Sequence, residues 1–507
     1  VKQAADRGAC ARNDPPDIGP EAILSQNTPA APSRLSPAQA RAIFVGLMLT
    51  VFLAALNQTI VATALPTIGR DFSDFESLSW IVTSYLLTST AVAPLYGKLS
   101  DIHGRRAVML ASVGIFTLGS LACAVAPTML TLVLGRALQG IGGGGILPVA
   151  QAVMADSITP RERGRYQAYM GVVWVTSGIG GPILGGFLAE HFHWSLVFWL
   201  NLPLGLAAAL MIQSRLKQLP RHERRHKLDI VGAALMMASA VLLLMALSWG
   251  GTRYAWTSPQ IAGLIVASGI VSLAFAWRLT QAEEPFLPLT VLANPVMLTG
   301  TAANSCSMGA SIGLIIFVPL YYELVQHLSA SDSGLALIPI ALTTPGSLLS
   351  GRAMLYMRHY KRVPIVALII ALAALGFLVW QPDPALWIVI VVMSIVGLAC
   401  GAVFPVCTVS IQNALPNHQV GTAMGAMNFF RALASAFAVA IMGAILLAGL
   451  GTTLRHGIDA TASRLDAPGA DIAAVFRWVF LAGEVFLAGA LAFLLLMEER
   501  PLRGPDT

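Results

Sequence analysis

The stretch LVLGRALQGIGGGG (Leu132–Gly145) admits two incompatible readings. Gly140, Gly142 and Gly145 satisfy G-x-G-x-x-G, which in a soluble protein marks a strand–turn–helix that holds a dinucleotide. In a membrane helix the same glycines are small residues that let a neighbouring backbone approach, and Arg136 becomes a charge inside the span. Composition decides between them. The 507 residues are 56% apolar and only 11% charged, against about 45–50% and about 25% in soluble domains. Water cannot be the solvent for most of this chain, so the segment reads as helix in lipid and the fingerprint as a coincidence of packing residues.

Spanning helices need about 20 mostly apolar residues. Outward from Leu132, fourteen segments qualify: 41–63, 79–98, 107–126, 129–155, 166–189, 196–214, 230–250, 259–278, 296–322, 334–357, 363–380, 385–411, 421–447 and 475–497. None alternates in the manner of a membrane β-barrel. The expected fold is an all-α membrane protein, organised as a disordered polar tail (1–38), a six-helix bundle (39–214), a basic loop (215–229), two inserted helices (230–278), a second six-helix bundle (296–497) and a short tail (498–507). The polar tail carries no basic-then-apolar leader, so the first apolar run reads as a retained anchor.

Lys and Arg set the orientation. With both termini cytoplasmic, the inside loops hold Lys98, Arg105, Arg106, Arg161, Arg163, Arg165, the six basic residues of RLKQLPRHERRHKLD (215–229), Arg358, Lys361 and Arg362. The outside loops hold only Arg70, Arg253, Arg455, Arg464 and Arg477. The loop GKLSDIHGRRAV after the second span has a loose echo, GRAMLYMRHYKRVP, after the tenth, with Leu355 where the first copy has Asp101. Repeated bundles with a site between them are a common transporter architecture. The five cysteines lack metal spacing, and the four that lie in apolar segments read as packing residues. No metal site, nucleophile–base pattern, phosphate-binding loop for ATP or nucleic-acid motif is apparent.

Polar groups inside the spans are the candidate machinery. Arg136 costs about 2.5–3.5 kcal/mol even on the lenient insertion scale, so it should face a cavity or a partner; Gln139, one turn on, shares its face. FLAALNQTIVATALP (Phe52–Pro66) sets Asn57 and Gln58 mid-span. Gly97 can admit another helix, and Asp101 can pair with Arg105 or Arg106 or meet a helix N-terminus. Together with Asp156 these would form a cytoplasmic latch. SGIGGPILGG (Ser177–Gly186) places Gly178, Gly181, Pro182 and Gly185 in a kinked span that is either generic or a hinge or seal between the halves. Glu484 is mid-span in the last helix, as a proton site or a packing residue. Arg352, Arg431, Asn304 and Asn428 are further intramembrane polar groups. Phe317, Tyr321, Met424, Asn428 and Phe429, with Asn57 and Gln58, are candidates to line a substrate site, since Met and aromatic groups suit promiscuous binding.

The segments WIVTSYLLTSTAVAPLYGKLSDIHGRR, LGRALQGIGGGG, SGIGGPILGG, HWSLVFWLNLPLG, GLALIPIAL and EERPLR occur in an order that resembles the major facilitator superfamily, specifically its fourteen-span drug:proton antiporters of the EmrB/QacA type. The resemblance implies a major facilitator fold in a bacterial inner membrane and export of lipophilic, often cationic drugs by alternating access. It implies protons as co-substrate, no cofactor, a monomer, and a place for accessory efflux proteins. It gives Gly97, Asp101, Arg105 and Arg106 the loop motif, Arg136 a role in proton coupling with Glu484 as a further candidate, and the span-five glycines and Pro182 the antiporter motif. Similar proteins read LDQTIVATALP, with an ionisable Asp where this chain has Asn57. The Asn is either a natural variant that takes its proton elsewhere or an engineered replacement that holds one state, and either way weak proton coupling is expected. Two other functions stay open: export of an endogenous metabolite such as a siderophore, amino acid or lipid, and a non-transporting receptor or scaffold.

Overall fold

The computed structural model describes residues 37–74, 77–215, 228–251, 253–329, 332, 333, 336, 343–457 and 469–502. The expected N-terminal tail, most of the basic loop 215–229, most of the first third of the tenth span and the end of the C-terminal tail lie outside the described residues. Regular structure among the described residues is helical, apart from one isolated bridge between Gly250 and Tyr254. Thirteen of the described helices are long and apolar enough to cross a membrane. The tenth expected span is represented by a 14-residue helix, Thr343–Tyr356.

The first half of the chain forms α1 (Pro37–Phe72), α2 (Leu78–His103), α3 (Arg105–Ala124), α4 (Met129–Ser157), α5 (Pro160–His191), the short α6 (Leu196–Trp199) and α7 (Asn201–Arg215). Then come α8 (Ile230–Trp249), α9 (Pro259–Gln281) and the one-turn α10 (Leu289–Leu292). The second half supplies α11 (Pro295–Leu324), α12 (Thr343–Tyr356), α13 (Arg362–Trp380), α14 (Leu386–Ala414), α15 (Val420–Gly457) and α16 (Gly469–Leu496). The single span expected at 196–214 is present as α6 and α7, which run on through Leu200 at helical φ −58° and ψ −31°.

Polar side chains at the helix ends explain where the elements start. Thr128 and Thr131 form a reciprocal capping box on α4. Asp229 accepts from Gly232 N at 3.0 Å at the start of α8, and Asn294 accepts from Val296 N and Met297 N ahead of Pro295 on α11. The α2–α3 turn is the single residue Gly104, at φ +87°, a conformation open to glycine and costly for other residues.

Each half has its own core. Tyr85, Tyr96, Met109, Phe116 and Ile146 anchor the first, and Tyr321, Tyr322, Leu368, Phe476 and Phe480 the second. A third cluster bridges them, drawing Ala91 and Ala152 from one half, Met424 and Met427 from the other, and Met236 and Phe286 from the insert. The inserted pair α8–α9 is stitched by Ser239 Oγ to Ser272 Oγ at 2.6 Å and closed by Arg278 to Asp229 at 3.1 Å. It lies along the groove between α2 and α15: Trp249 meets the Trp80 ring edge-on at 5.5 Å, and Gly251 sits beside Leu447. Its far face exposes Ile270, Leu273 and Trp277, as a lipid-facing surface should.

The glycines of GIGGGG do what the membrane reading asks. A Cβ on Gly140 would stand 2.5 Å from Tyr85 O, one on Gly142 2.6 Å from Phe116 Cα, and one on Gly145 2.5 Å from the Tyr96 ring. The run is therefore the wedge that lets α4 sink between α2 and α3, and Ser112 Oγ donates to Gly142 O at 2.7 Å across that contact.

Candidate functional site

Two polar assemblies stand out: one inside the first half, and one that ties the halves together at one end.

Sinking α4 between its neighbours carries Arg136 into the centre of the first half, where it is 1% exposed. Its Nε donates to Ile81 O at 2.9 Å, its Nη1 donates to Gln139 Oε1 at 2.5 Å, and its guanidinium lies 4.4 Å from the Tyr85 ring centroid. The carbonyl and the aromatic face make the buried charge tolerable. Because Arg136 takes the Gln139 carbonyl, the Gln139 amide nitrogen is turned the other way. It donates to Ser120 Oγ at 2.6 Å and to Asn57 Oδ1 at 3.0 Å. Asn201 Nδ2 donates to the same Asn57 oxygen at 3.2 Å. Residue 57 thus receives two N–H donors, one of which, from Gln139, is oriented by a buried cation.

Such a pocket suits a carboxylate. Asn57 fills it only in part: its Nδ2 and Asn201 Oδ1 are buried with no hydrogen-bond partner. Among the described residues no carboxylate forms an ion pair with Arg136. Asn57 itself is fully buried, whereas the adjacent Gln58 is exposed.

The second assembly is centred on Asp101. Its carboxylate accepts from Gly421 N at 3.1 Å, Thr422 N at 2.7 Å and Thr422 Oγ1 at 2.7 Å. Gly421 and Thr422 are in the first turn of α15, where backbone N–H groups have no helical acceptor and the dipole favours an anion. Asp101 therefore caps a helix of the opposite half while pairing with Arg105 of its own. Arg105, 8% exposed, also donates to Ser100 Oγ at 2.8 Å, Asp156 Oδ2 at 3.0 Å and Asn417 O at 3.0 Å. Of the two arginines that Asp101 could have met, Arg105 is the partner; Arg106 Nε is buried without one.

Glycines make this approach feasible. A Cβ on Gly97 would overlap Gly421 O and stand 3.2 Å from Gly425 Cα. On the other side of the bundle, a Cβ on Gly164 of α5 would lie 3.2 Å from Gly351 Cα of α12. Gly97 and Gly351 are the leading glycines of the two echoed loops, so both copies place a helix crossing between the halves at the same end. Only the first adds the carboxylate; Leu355 stands in the second. Deeper in the seam, Asn428 Nδ2 donates to Gln151 Oε1 at 2.6 Å and Gln412 Nε2 donates to Gln151 O at 3.1 Å. At the opposite end the bonds found tie each half to itself: Trp194 Nε1 to Asp71 Oδ2 at 2.7 Å, and Gln326 Nε2 to Asp383 Oδ1 at 3.1 Å.

The remaining candidates are dispersed. Gly181 and Gly185 pack against Thr59, Ile60 and Thr63 of α1, within the first half, and Gly178 has no neighbour within 4 Å among the described residues. Pro182 lies inside a helix that continues to His191. That glycine run binds α5 to α1, while Gly97, Gly164, Gly351 and Gly421 form the crossings between halves. Glu484 lies over Gly376, its Oε1 3.0 Å from where a Cβ would be, in the α13–α16 contact of the second half. It does not join the Arg136 network. Tyr321 is buried against Phe476 and Phe480 and donates to Pro382 O at 2.9 Å, inside the second core. Phe317 meets Gly443. Met424 and Asn428 belong to the seam, with Phe429 buried beside them. The seven residues expected to line a substrate site are not gathered in one cavity. Ser120, Asn201, Gln151 and Gln412 are polar partners that sequence reasoning did not single out; each is an isolated hydroxyl or amide in an apolar run, which is the signal that identified Asn57 and Arg136.

Residues 47–439 match the Major Facilitator Superfamily. The chain is 34% identical over 424 residues to an uncharacterized MFS-type transporter of Mycobacterium tuberculosis, covering 82% of this chain and 60% of that protein. It therefore spans about three-fifths of that relative's length. It is 33% identical over 441 residues to the multidrug transporter protein MdtP of Bacillus subtilis, covering 86% and 80%. Among solved structures it is similar to the human organic anion transporter MFSD10, with a TM-score of 0.63 at 17% identity over 89% of this chain and 100% of that one. It is also similar to a bacterial homologue of the iron transporter ferroportin in its outward-facing state, at 0.60 and 12% over 91% and 100%. At those identities the structural likeness bears on the fold alone.

Proposed function

Because the chain belongs to the Major Facilitator Superfamily, we propose that it is an exporter of small lipophilic molecules, working by alternating access as a fourteen-span drug:proton antiporter. The observation that carries this reading is the Asp101–Arg105 assembly. It holds the halves together at one end through contacts that vanish if the α2 and α15 ends separate. In the proposed cycle, which keeps the antiporter's conformational steps while Asn57 weakens their proton coupling, the latched end is cytoplasmic, both termini lie on that side, and the latched state is open outward. Substrate binding from the inside requires the latch to break.

Coupling is proposed to run through residue 57. An Asp there would take the two N–H donors and stand close to Arg136. Protonation from outside would cancel its charge and loosen that pairing. Asn57 mimics the protonated acid and cannot cycle, so this chain is proposed to move its cargo with little or no proton coupling. Each proton restored to the cycle adds about 2.3 kcal/mol per 100 mV of membrane potential.

The test is flux in proteoliposomes under an imposed pH gradient, with ethidium and neutral and anionic fluorescent probes, for the protein and for Asn57→Asp. The expected result is protein-dependent flux of at least one probe, with a pH-gradient dependence that Asn57→Asp acquires. Absence of flux for every probe overturns the transport reading. Flux with no gain in Asn57→Asp removes residue 57 from coupling and leaves transport standing.

A further inference from the structure

Arg431 is used by neither assembly. It lies on α15, three residues beyond Asn428 and so on the same helical face. Asn428 reaches across the seam to Gln151 of the first half. All of residues 420–429 are buried; from Phe430, 37% exposed, the helix begins to emerge, and Arg431 is half-buried. The guanidinium therefore sits about one turn beyond Asn428, just past the last bond found between the halves among the described residues. Its one partner on record is the face of Phe404 on α14, 5.2 Å to the centroid. No hydrogen-bond acceptor or carboxylate meets it among the described residues.

That is an unusual way to leave a charge at mid-bundle. A cation there is costly and is normally paired. Arg136 shows how this chain satisfies one when it serves structure, with a carbonyl, an amide oxygen and a ring. Arg431 has only the ring, and its five N–H donors stay available. A second unspent donor lies one turn away in the same seam, where Gln151 Nε2 is buried with no acceptor. The intramembrane acids that could neutralise the region are elsewhere: Glu484 is in the α13–α16 contact, and residue 57 is an amide.

We infer that Arg431, stacked on Phe404 about one turn beyond Asn428, is a binding site for the anionic group of an amphipathic substrate, such as a lipophilic carboxylate. The planar guanidinium matches a carboxylate with two parallel N–H donors, and Phe404 and Phe430 supply an apolar surface for the rest of the molecule. This rests on the transport reading for its biological setting and runs against the cationic cargo implied by the sequence resemblance.

The test is binding, read apart from flux. Pyrenebutyrate, pyrenebutanol and pyrenebutylamine share one ring system and differ in charge. Affinities of the purified protein in neutral detergent are compared for the unaltered chain, Arg431→Lys and Arg431→Met. Tighter binding of the carboxylate than of the alcohol or amine is expected. Arg431→Met should weaken the carboxylate at least 10-fold and leave the alcohol within a factor of two, with Arg431→Lys in between. Equal affinities for the three probes, a preference for the amine, or carboxylate binding that Arg431→Met leaves unchanged would each overturn the inference. Carboxylate binding without flux in proteoliposomes sinks the transport reading and leaves this site. Flux of a probe with no selective carboxylate binding does the opposite.

Discussion

Asp101→Asn is the sharpest perturbation of the latch. The carboxylate is 6% exposed and accepts three bonds from the opposite half, from Gly421 N, Thr422 N and Thr422 Oγ1. Each such bond to a charged acceptor is worth about 1.5–3 kcal/mol net. Asparagine keeps one acceptor oxygen and turns an NH2 toward either Arg105 or the α15 amides, so at least one bond is lost and a donor–donor contact appears. It also leaves Arg105 with Asp156 as its sole anionic partner. The pair with Arg105 lies within one half and survives unlatching, so the latch is weakened by its cross-half bonds: one lost and the others reduced from charged to neutral strength, about 3 kcal/mol together. That shifts the latched-to-unlatched ratio about 150-fold, enough to turn a chain that is 99% latched into one mostly unlatched. The readout is single-molecule energy transfer between dyes on His103→Cys and Arg358→Cys, both on exposed positions at the latched end. The expected result is a major population at lower transfer efficiency in Asp101→Asn, with the thermal midpoint in detergent little changed because the cores are untouched. An unchanged efficiency distribution would refute the reasoning.

Other consequences are separable from this one. Gly97→Val forces a side chain onto Gly421, and should also raise the unlatched population by the dye-pair measurement. Gly181→Val instead collides with Thr59 inside the first half; it should lower the thermal midpoint, by about 1–3 kcal/mol of overpacking, while leaving the latched fraction of the folded molecules alone. Arg136→Met strips partners from Ile81 O and Gln139 Oε1 and frees the Gln139 amide to flip; flux in proteoliposomes should fall more than 10-fold, with Arg136→Lys retaining part of it. Asn57→Asp should gain a pH-gradient dependence of flux, and should lose that gain again in the double variant with Gln139→Leu, which removes one of the two donors to residue 57.

Much of the architecture was legible because hydrophobic length is a coarse, local signal. Apolar runs located the helices, although α1 runs on to Phe72 and α15 to Gly457, well past the expected ends at 63 and 447, and the glycine-rich run of α4 was readable as packing once lipid was the solvent. For the site, single charged or amide residues in apolar context picked out Arg136 and Asn57 individually, and the short loop GKLSDIHGRR picked out Asp101. Their partners were harder. Gln139 was visible one turn from Arg136, but Ser120 and Asn201 come from other helices, and long-range pairing has no period in the sequence. The substrate candidates show the opposite problem. Tyr321 is aromatic and lies near the end of a span, yet a helix buries such residues against its own half as readily as it shows them to a cavity, and only the packing of Phe476 and Phe480 tells which. The two-sided crossing at Gly97 and Gly351 had a faint signal in the echoed loops, although the loss of the carboxylate at Leu355 concealed how unequal the two copies are.

The central claim is that transport requires the latched end to open. Lys98 and Gln419 line the cavity beside the latch, one on α2 and the other in the turn leading into α15. In a Lys98→Cys/Gln419→Cys protein, a short thiosulfonate cross-linker should stop probe flux in proteoliposomes, and reduction should restore it, while each single cysteine variant stays active after the same treatment. Undiminished flux through fully cross-linked protein would contradict the account.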